Sequence, residues 1–372
     1  MKIKKIILIV LISMVAGIVS GCTSTGTASS WPGINVDGED GYFAYGTQVF
    51  AIDVKNGSLV WRYPSEADAK LQFYAAPAVS ENQVIAGSYL NTLVALNRAN
   101  GTEEWAFSQA DDRYIGTPLV VNEFIFAPNT DKYLYALSSS GDFLWTFKTE
   151  GPNWTKPLSD KNMVYLASMD HNLYALKMEY SSNELALDKN GSRTLVSNPL
   201  WKVNLETAVV ADPVLSDGKI YVATIDGKLH CVDTESGKLL WSFSDGNQYR
   251  SVWGSPVVTD EAVYFGDETG NLFAVSPVDG SPIWPIPYSA GASIIASGVE
   301  TDEGALFVTE EGRVFLINVD KEPKPVVSLD MVMYASPKLA DGKIVLAPAT
   351  KEKLFMAIDL DGKEIWSFIP SK

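Results

Sequence analysis

The chain is poor in the side chains that most often carry chemistry: it has two histidines and two cysteines in 372 residues. His171 and His230 stand in HNLYAL and KLHCV, and two such residues make neither a zinc site nor a Ser/His/Asp triad. No G-x-S-x-G elbow and no phosphate-binding glycine loop accompanies them. Asp359-Leu360-Asp361-Gly362 opens like a calcium loop but lacks the third ligand and the closing Glu, so a hairpin turn is expected there and no metal site. Adjacent cysteines are absent, as is any block of Lys and Arg. No helical period of useful length follows residue 21, so helical bundles are not expected over the rest of the chain.

What the chain does have begins with a leader. Lys2, Lys4 and Lys5 precede an apolar run from Ile6 to Val15, and the small-residue sequence Val19-Ser20-Gly21-Cys22 follows. A basic head, a short apolar segment and a small-residue cleavage site read as a signal peptide over residues 1–21. Ser-Gly-Cys resembles the bacterial lipobox, which implies cleavage before Cys22 and a lipid on its thiol; the plainer alternative is an ordinary secretory signal with an incidental Cys22. Residues 22–31 then form the lipidated cysteine and a flexible polar tether. With Cys22 lipidated, Cys231 is left without a disulfide partner and is expected to be a small buried thiol. Stability must come from packing.

The 351 residues after the leader exceed what one compact core usually holds, which favours several domains or a repeat architecture. Repeats decide it. The stretch Ser255–Trp284 passes from Ser-Pro through three β-rich runs separated by Gly/Asp turns to a closing Trp, and variants of it recur along the chain. Short β-rich runs joined by such turns are hairpin-linked strands, so one unit is a four-stranded meander. The closing aromatics are Trp61, Trp105, Trp145, Trp201, Trp241, Trp284 and Trp366, with Val327 in place of the missing Trp. Prolines 32, 77, 118, 157, 213, 256 and 337 open the units, with Gly298 substituting in the seventh. Eight units spaced like propeller blades predict an all-β, eight-bladed β-propeller of four-stranded antiparallel blades, one domain over residues 32–372. Each Trp is expected to dock between blades, contributing about 2–3 kcal/mol gross.

The pattern L-Y-A-L-D-x-x-T/N-G-x-x-x-W is best kept in LHCVDTESGKLLW (229–241) and VFAIDVKNGSLVW (49–61), and it resembles the tryptophan-docking repeat of pyrroloquinoline-quinone-type propellers. With the lipobox and the length, the whole chain resembles the BamB family, lipoprotein subunits of the machinery that assembles outer-membrane β-barrels. The resemblance implies an eight-bladed ring without catalysis, a protein partner at the membrane such as a barrel-assembly subunit, and an anchor through the lipid. Quinone-dependent dehydrogenases share the repeat, but they are longer and use a vicinal cysteine pair with a calcium-bound carboxylate. This sequence lacks that pair, so no cofactor is expected and the dehydrogenase is a remote alternative.

Three features differ among the copies. Between Leu176 and Trp201 the fourth blade is longer by about fifteen residues, a loop expected to project from the face of the first hairpin turns and to be a candidate partner contact. Tyr74, Trp154, Trp253 and Tyr334 stand three residues before the opening proline, with Tyr114 one position earlier, so they are expected to ring one mouth of the central channel. Turns reaching the same face carry Asp131, Asp170, Asp226, Asp267, Glu268, Glu310 and Glu311. Such a rim suits a basic or extended peptide, a sugar or a cation; alternatively the aromatics plug the channel and the acids decorate turns.

Removing the three leader lysines leaves 26 basic against 45 acidic residues, a net charge of −19. Nucleic acid is therefore not an expected partner, and the lipid rather than charge would hold the protein at a membrane. The expected function is a monomeric, lipid-anchored, non-catalytic protein-binding scaffold on the extracytoplasmic side of a bacterial membrane, serving outer-membrane β-barrel assembly. The alternative is an extracytoplasmic ligand-binding or sensory propeller for carbohydrate or peptide.

Overall fold

Alternation of apolar and polar residues between tight turns produces 34 strands, β1 to β34 in chain order, in the computed structural model, which describes residues 32–187, 194–246, 250–349 and 353–370. The leader, Cys22 and the tether lie outside the described residues. Blade 1 is the meander β1 (Gly33–Asp37), β2 (Asp40–Tyr45), β3 (Gln48–Asp53) and β4 (Leu59–Tyr63), all antiparallel. The same order recurs from β5 (Ala78–Val79), β9 (Leu119–Val121), β13 (Leu158–Asp160), β19 (Val214–Ser216), β23 (Val257–Val258), β27 (Val299–Thr301) and β31 (Lys338–Ala340). These first strands touch one another from blade to blade, β1 meeting both β5 and β31, which places them innermost around a channel. The chain is an eight-bladed propeller, and among the described residues every four-stranded meander runs in chain order with no strand exchanged.

The closing tryptophans explain how blades adhere. Trp61 donates its indole N–H to the Arg98 carbonyl of the next blade at 2.8 Å, and its ring covers Gly101, where a Cβ would meet ring atoms at 2.6 Å. Trp105, Trp145, Trp201 and Trp284 repeat the hydrogen bond to Ser139, Met178, Thr234 and Val319. Trp366 of the last blade donates to Val54 of the first at 2.7 Å and lies on Gly57, closing the ring. Trp241 lies on Gly280, but its buried N–H has no acceptor among the described residues. Glycine is required at these turns twice over, by a positive φ and by the ring above it.

The strand residue opposite each indole is small: Ala51, Ala95, Ala136, Ala175, Cys231 and Ala357. In blade 7, which has no Trp, the equivalent residue is Leu316, paired with Lys324 in β30 (Lys324–Ser328). The larger side chain and the inward backbone of Val326 and Val327 over Gly362 fill the seam instead. Blade 6 departs differently. Its last strand, β26, is only Tyr288–Ser289, and Trp284 precedes the strand rather than entering it, because Pro282, Pro285 and Pro287 remove the ladder donors around it.

The long insertion does not project as a free loop. Its strands β16 (Leu185–Leu187) and β17 (Thr194–Val196) form a hairpin that adds to blade 3, with β17 pairing in parallel with β12 (Phe143–Lys148). Val196 is buried beside Trp145 and Phe147, and Tyr180 meets the Trp145 ring edge-on at 5.3 Å. Blade 3 is consequently a six-stranded sheet whose outer edge is covered by its own chain.

Candidate functional site

The segment entering each innermost strand alternates strictly between core and channel. Counting back from the opening proline, the fourth residue is buried in every case: Phe73, Tyr114, Asn153, Val209, Val252 and Met333, with Ile294 ahead of Gly298. The third residue is half exposed, namely Tyr74, Ile115, Trp154, Val210, Trp253, Ile295 or Tyr334, and of these Tyr74, Ile115, Trp154 and Tyr334 line the channel cavity. The second is small and buried, and the first, half exposed again, is Ala76, Thr117, Lys156, Asp212, Ser255, Ser297 or Ser336. Strand alternation produces this, since neighbouring residues point to opposite faces.

Tyr114 therefore does not belong to the rim. Displaced by one residue, it falls in the core row, fully buried against Gly87, and Ile115 takes the channel position of that blade. Tyr74, Trp154 and Tyr334 line a channel cavity of about 350 Å³ with the entry residues of every blade. Tyr74 also packs against Tyr89 at 4.8 Å and Tyr45 at 6.4 Å, two aromatics that sequence spacing did not single out. Trp253 lies outside this lining, with its indole N–H 3.5 Å from Glu268.

Most of the acids serve their own turns. Asp131 accepts the Tyr133 and Asp111 backbone N–H groups and the Tyr135 hydroxyl, and Asp170 does the same for Asn172, Glu150 and Tyr174. Asp226 takes the Thr207 and Thr224 hydroxyls and an ion pair from Lys228, which hold its carboxyl below the usual range despite partial burial. Asp267 is 1% exposed and receives four bonds from Thr269 and Asn271. These carboxylates have little capacity left for a ligand. Glu268 and Glu310 instead hold the rim aromatics, Glu310 accepting the Tyr334 hydroxyl at 2.9 Å and thereby raising its pKa. Glu311 is exposed.

Below the aromatics lies a charged belt that the sequence reading missed. Among the described residues, Lys156, Asp212 and Lys338 are the only charged ones lining the cavity. Backbone N–H groups of this layer donate to the side chain at the same position in the next blade: Lys156 to Asp212 at 2.7 Å, Ser255 to Ser297 at 2.9 Å and Ser297 to Ser336 at 3.0 Å. Burial raises the Asp212 pKa, and burial together with nearby Lys156 lowers that of Lys338. Lys156 and Asp212 just before the opening proline, where most other blades carry Ala, Thr or Ser, and Lys338 just after it, where others carry Gly, Ala, Leu or Val, were the available signal.

The reactive side chains lie elsewhere. Cys231 and His230 occupy β21 (Leu229–Asp233) inside blade 5; burial pushes the thiol up to about 11 and the imidazole down to about 4. His171 sits at a positive-φ turn. Among the described residues no group of three His, Cys, Asp or Glu is placed to hold a metal, and no helix is long and apolar enough to cross a membrane.

The family model described as "Outer membrane protein assembly factor BamB" matches residues 24–119 and 197–366. The chain belongs to the BamB family. The BamB of Taylorella asinigenitalis is 26% identical over 216 residues, covering 53% of this chain and 50% of the relative. In two further BamB relatives the match spans 63% and 58% of their length, so the chain spans from about half to less than two thirds of these proteins. The crystal structure of BamB from Moraxella catarrhalis matches with a TM-score of 0.66 at 16% identity, covering 85% of this chain and 90% of that one, which supports the fold. A tetrathionate hydrolase of Acidithiobacillus ferrooxidans is 20% identical over 340 residues, covering 70% of this chain and 68% of the relative, so the repeat also occurs in a protein named as an enzyme.

Proposed function

We propose that this chain is a non-catalytic protein-binding scaffold, lipid-tethered through Cys22 on the extracytoplasmic side of a bacterial membrane, that serves outer-membrane β-barrel assembly by docking on a soluble part of the barrel-assembly subunit. The observation that carries the reading is the BamB family match on both sides of the ring, residues 24–119 and 197–366. The chemistry of the interior is consistent with it: the only cysteine and the buried histidine of the described residues are structural, neutral and remote from the channel lining. A propeller supplies a rigid platform with many loops, which suits docking more than turnover.

The test is crosslinking of the lipid-tethered protein in its native membrane followed by identification of partners. Recovery of a barrel-assembly subunit supports the reading, and recovery of none overturns it. The channel mouth favours a second reading, an extracytoplasmic ligand-binding propeller for carbohydrate or peptide. Under it, Trp154→Ala with Trp253→Ala abolishes ligand capture; unchanged capture counts against the mouth.

A further inference from the structure

We propose that the central channel contains a site for a small oxyanion, a carboxylate or a phosphate-type group, held between the ammonium groups of Lys156 and Lys338. Lys156 enters from blade 4 and Lys338 from blade 8, which stand opposite one another in an eight-membered ring, and both line the same cavity of about 350 Å³. Among the described residues neither ammonium group has an ion-pair or hydrogen-bond partner. The omission is not for want of acids, which number 45 against 29 basic residues in the chain. Lys228, Lys177, Lys324 and Lys353 all pair with carboxylates at the surface.

Asp212 does not close the account. It is the single acid lining the cavity among the described residues, and its Oδ1 is taken by the Lys156 backbone N–H, the job that serine performs in blades 7 and 8. Two cations against one carboxylate leave one positive charge in the channel, and a partly desolvated charge without a counter-ion is costly. Burial and Lys156 already push the Lys338 amine down, the direction that a bound anion would reverse. Neutral donors complete the site. The Ser297 and Ser336 oxygens accept backbone N–H groups, so each hydroxyl proton is available to donate. An oxyanion occupies only part of the cavity; the space toward Tyr74, Trp154 and Tyr334 accommodates an apolar group attached to it.

The experiment is calorimetric titration of the full chain, in detergent at low ionic strength, with inorganic phosphate, acetate and phenylacetate. Saturable one-to-one binding is expected. Lys338→Met and Lys156→Met should each weaken it by about tenfold or more, and Asp212→Ser should tighten it, while Lys202→Met on an outer strand leaves it unchanged. Circular dichroism and melting temperature verify that each variant folds; Lys338→Met is expected to fold because it removes a buried charge. Phosphate binding more tightly than phenylacetate assigns an inorganic ligand, and the reverse assigns an organic carboxylate whose apolar part rests on the aromatics. No saturable binding of any of the three, or binding untouched by both lysine substitutions in folded protein, overturns the proposal.

Discussion

Replacing Trp366 by Ala should loosen the ring at its closure more than the same change at any partly exposed seam. Trp366 is 7% exposed, its N–H donates to Val54 at 2.7 Å, and its ring lies on Gly57. Truncating a buried Trp to Ala costs about 3–5 kcal/mol, of which the hydrogen bond accounts for about 1. For a domain of about 340 residues that is a fall in melting temperature of roughly 4–7 °C. Trp366→Phe keeps much of the apolar area and should lose about 1–2 kcal/mol. Trp105 makes the equivalent bond at 3.0 Å from a more exposed setting, so Trp105→Ala should cost less, about 1–3 kcal/mol. Gly57→Ala provides the reciprocal perturbation, because a Cβ there would meet the Trp366 ring at 2.7 Å on a backbone of φ +75°. The double variant should cost less than the sum of the two, since removing the ring removes the clash. Urea unfolding monitored by circular dichroism measures all of these. Strictly additive costs, or a Trp366→Ala loss below that of Trp105→Ala, would refute the account of the seam.

Three further outcomes follow from local geometry. Burial holds the His230 imidazole at about 4 in the folded chain against an ordinary value near 6.5, so the unfolded chain binds the proton first; stability should fall by about 3 kcal/mol as pH drops from 6.5 to 4, and His230→Gln should flatten that slope in pH-dependent melting curves. Leu316→Ala should destabilise by about 2–4 kcal/mol in urea unfolding, because blade 7 has no indole to occupy the space, whereas Leu316→Ala with Val327→Trp should recover part of the loss. Replacing residues 179–199 by a short turn should leave the ring intact by circular dichroism but expose the β12 edge, read as concentration-dependent association in light scattering; a monomer at all concentrations would show that the hairpin is not needed to cover that edge.

The blade count and the hairpin order were legible because each unit repeats the same local instructions: apolar alternation, a Gly turn and a closing aromatic. Five seams place an indole over a glycine, those of Trp61, Trp105, Trp201, Trp241 and Trp366, so the packing recurs in phase with the sequence. Tyr114 was misplaced for a reason internal to strands. A shift of one residue exchanges channel face for core face, and its spacing from Pro118, four rather than three, already carried that information. The rim acids were legible as turn residues, but their hydrogen bonds to neighbouring loops were not, since Asp131 and Asp170 meet backbone groups twenty residues away.

By itself the sequence determined the class, the number of blades and the residues each blade needs to pack, because those depend on contacts within a unit or between consecutive units of constant spacing. Only the tertiary structure decided which singular residues meet. Lys156 and Lys338 lie half a ring apart along the chain and share one cavity because the propeller closes, and closure is made by Trp366 and Val54, 312 residues apart. The insertion likewise found its place by pairing with the edge of another blade. Repetition encodes neighbours, whereas contact across a closed ring depends on a geometry that no single repeat contains.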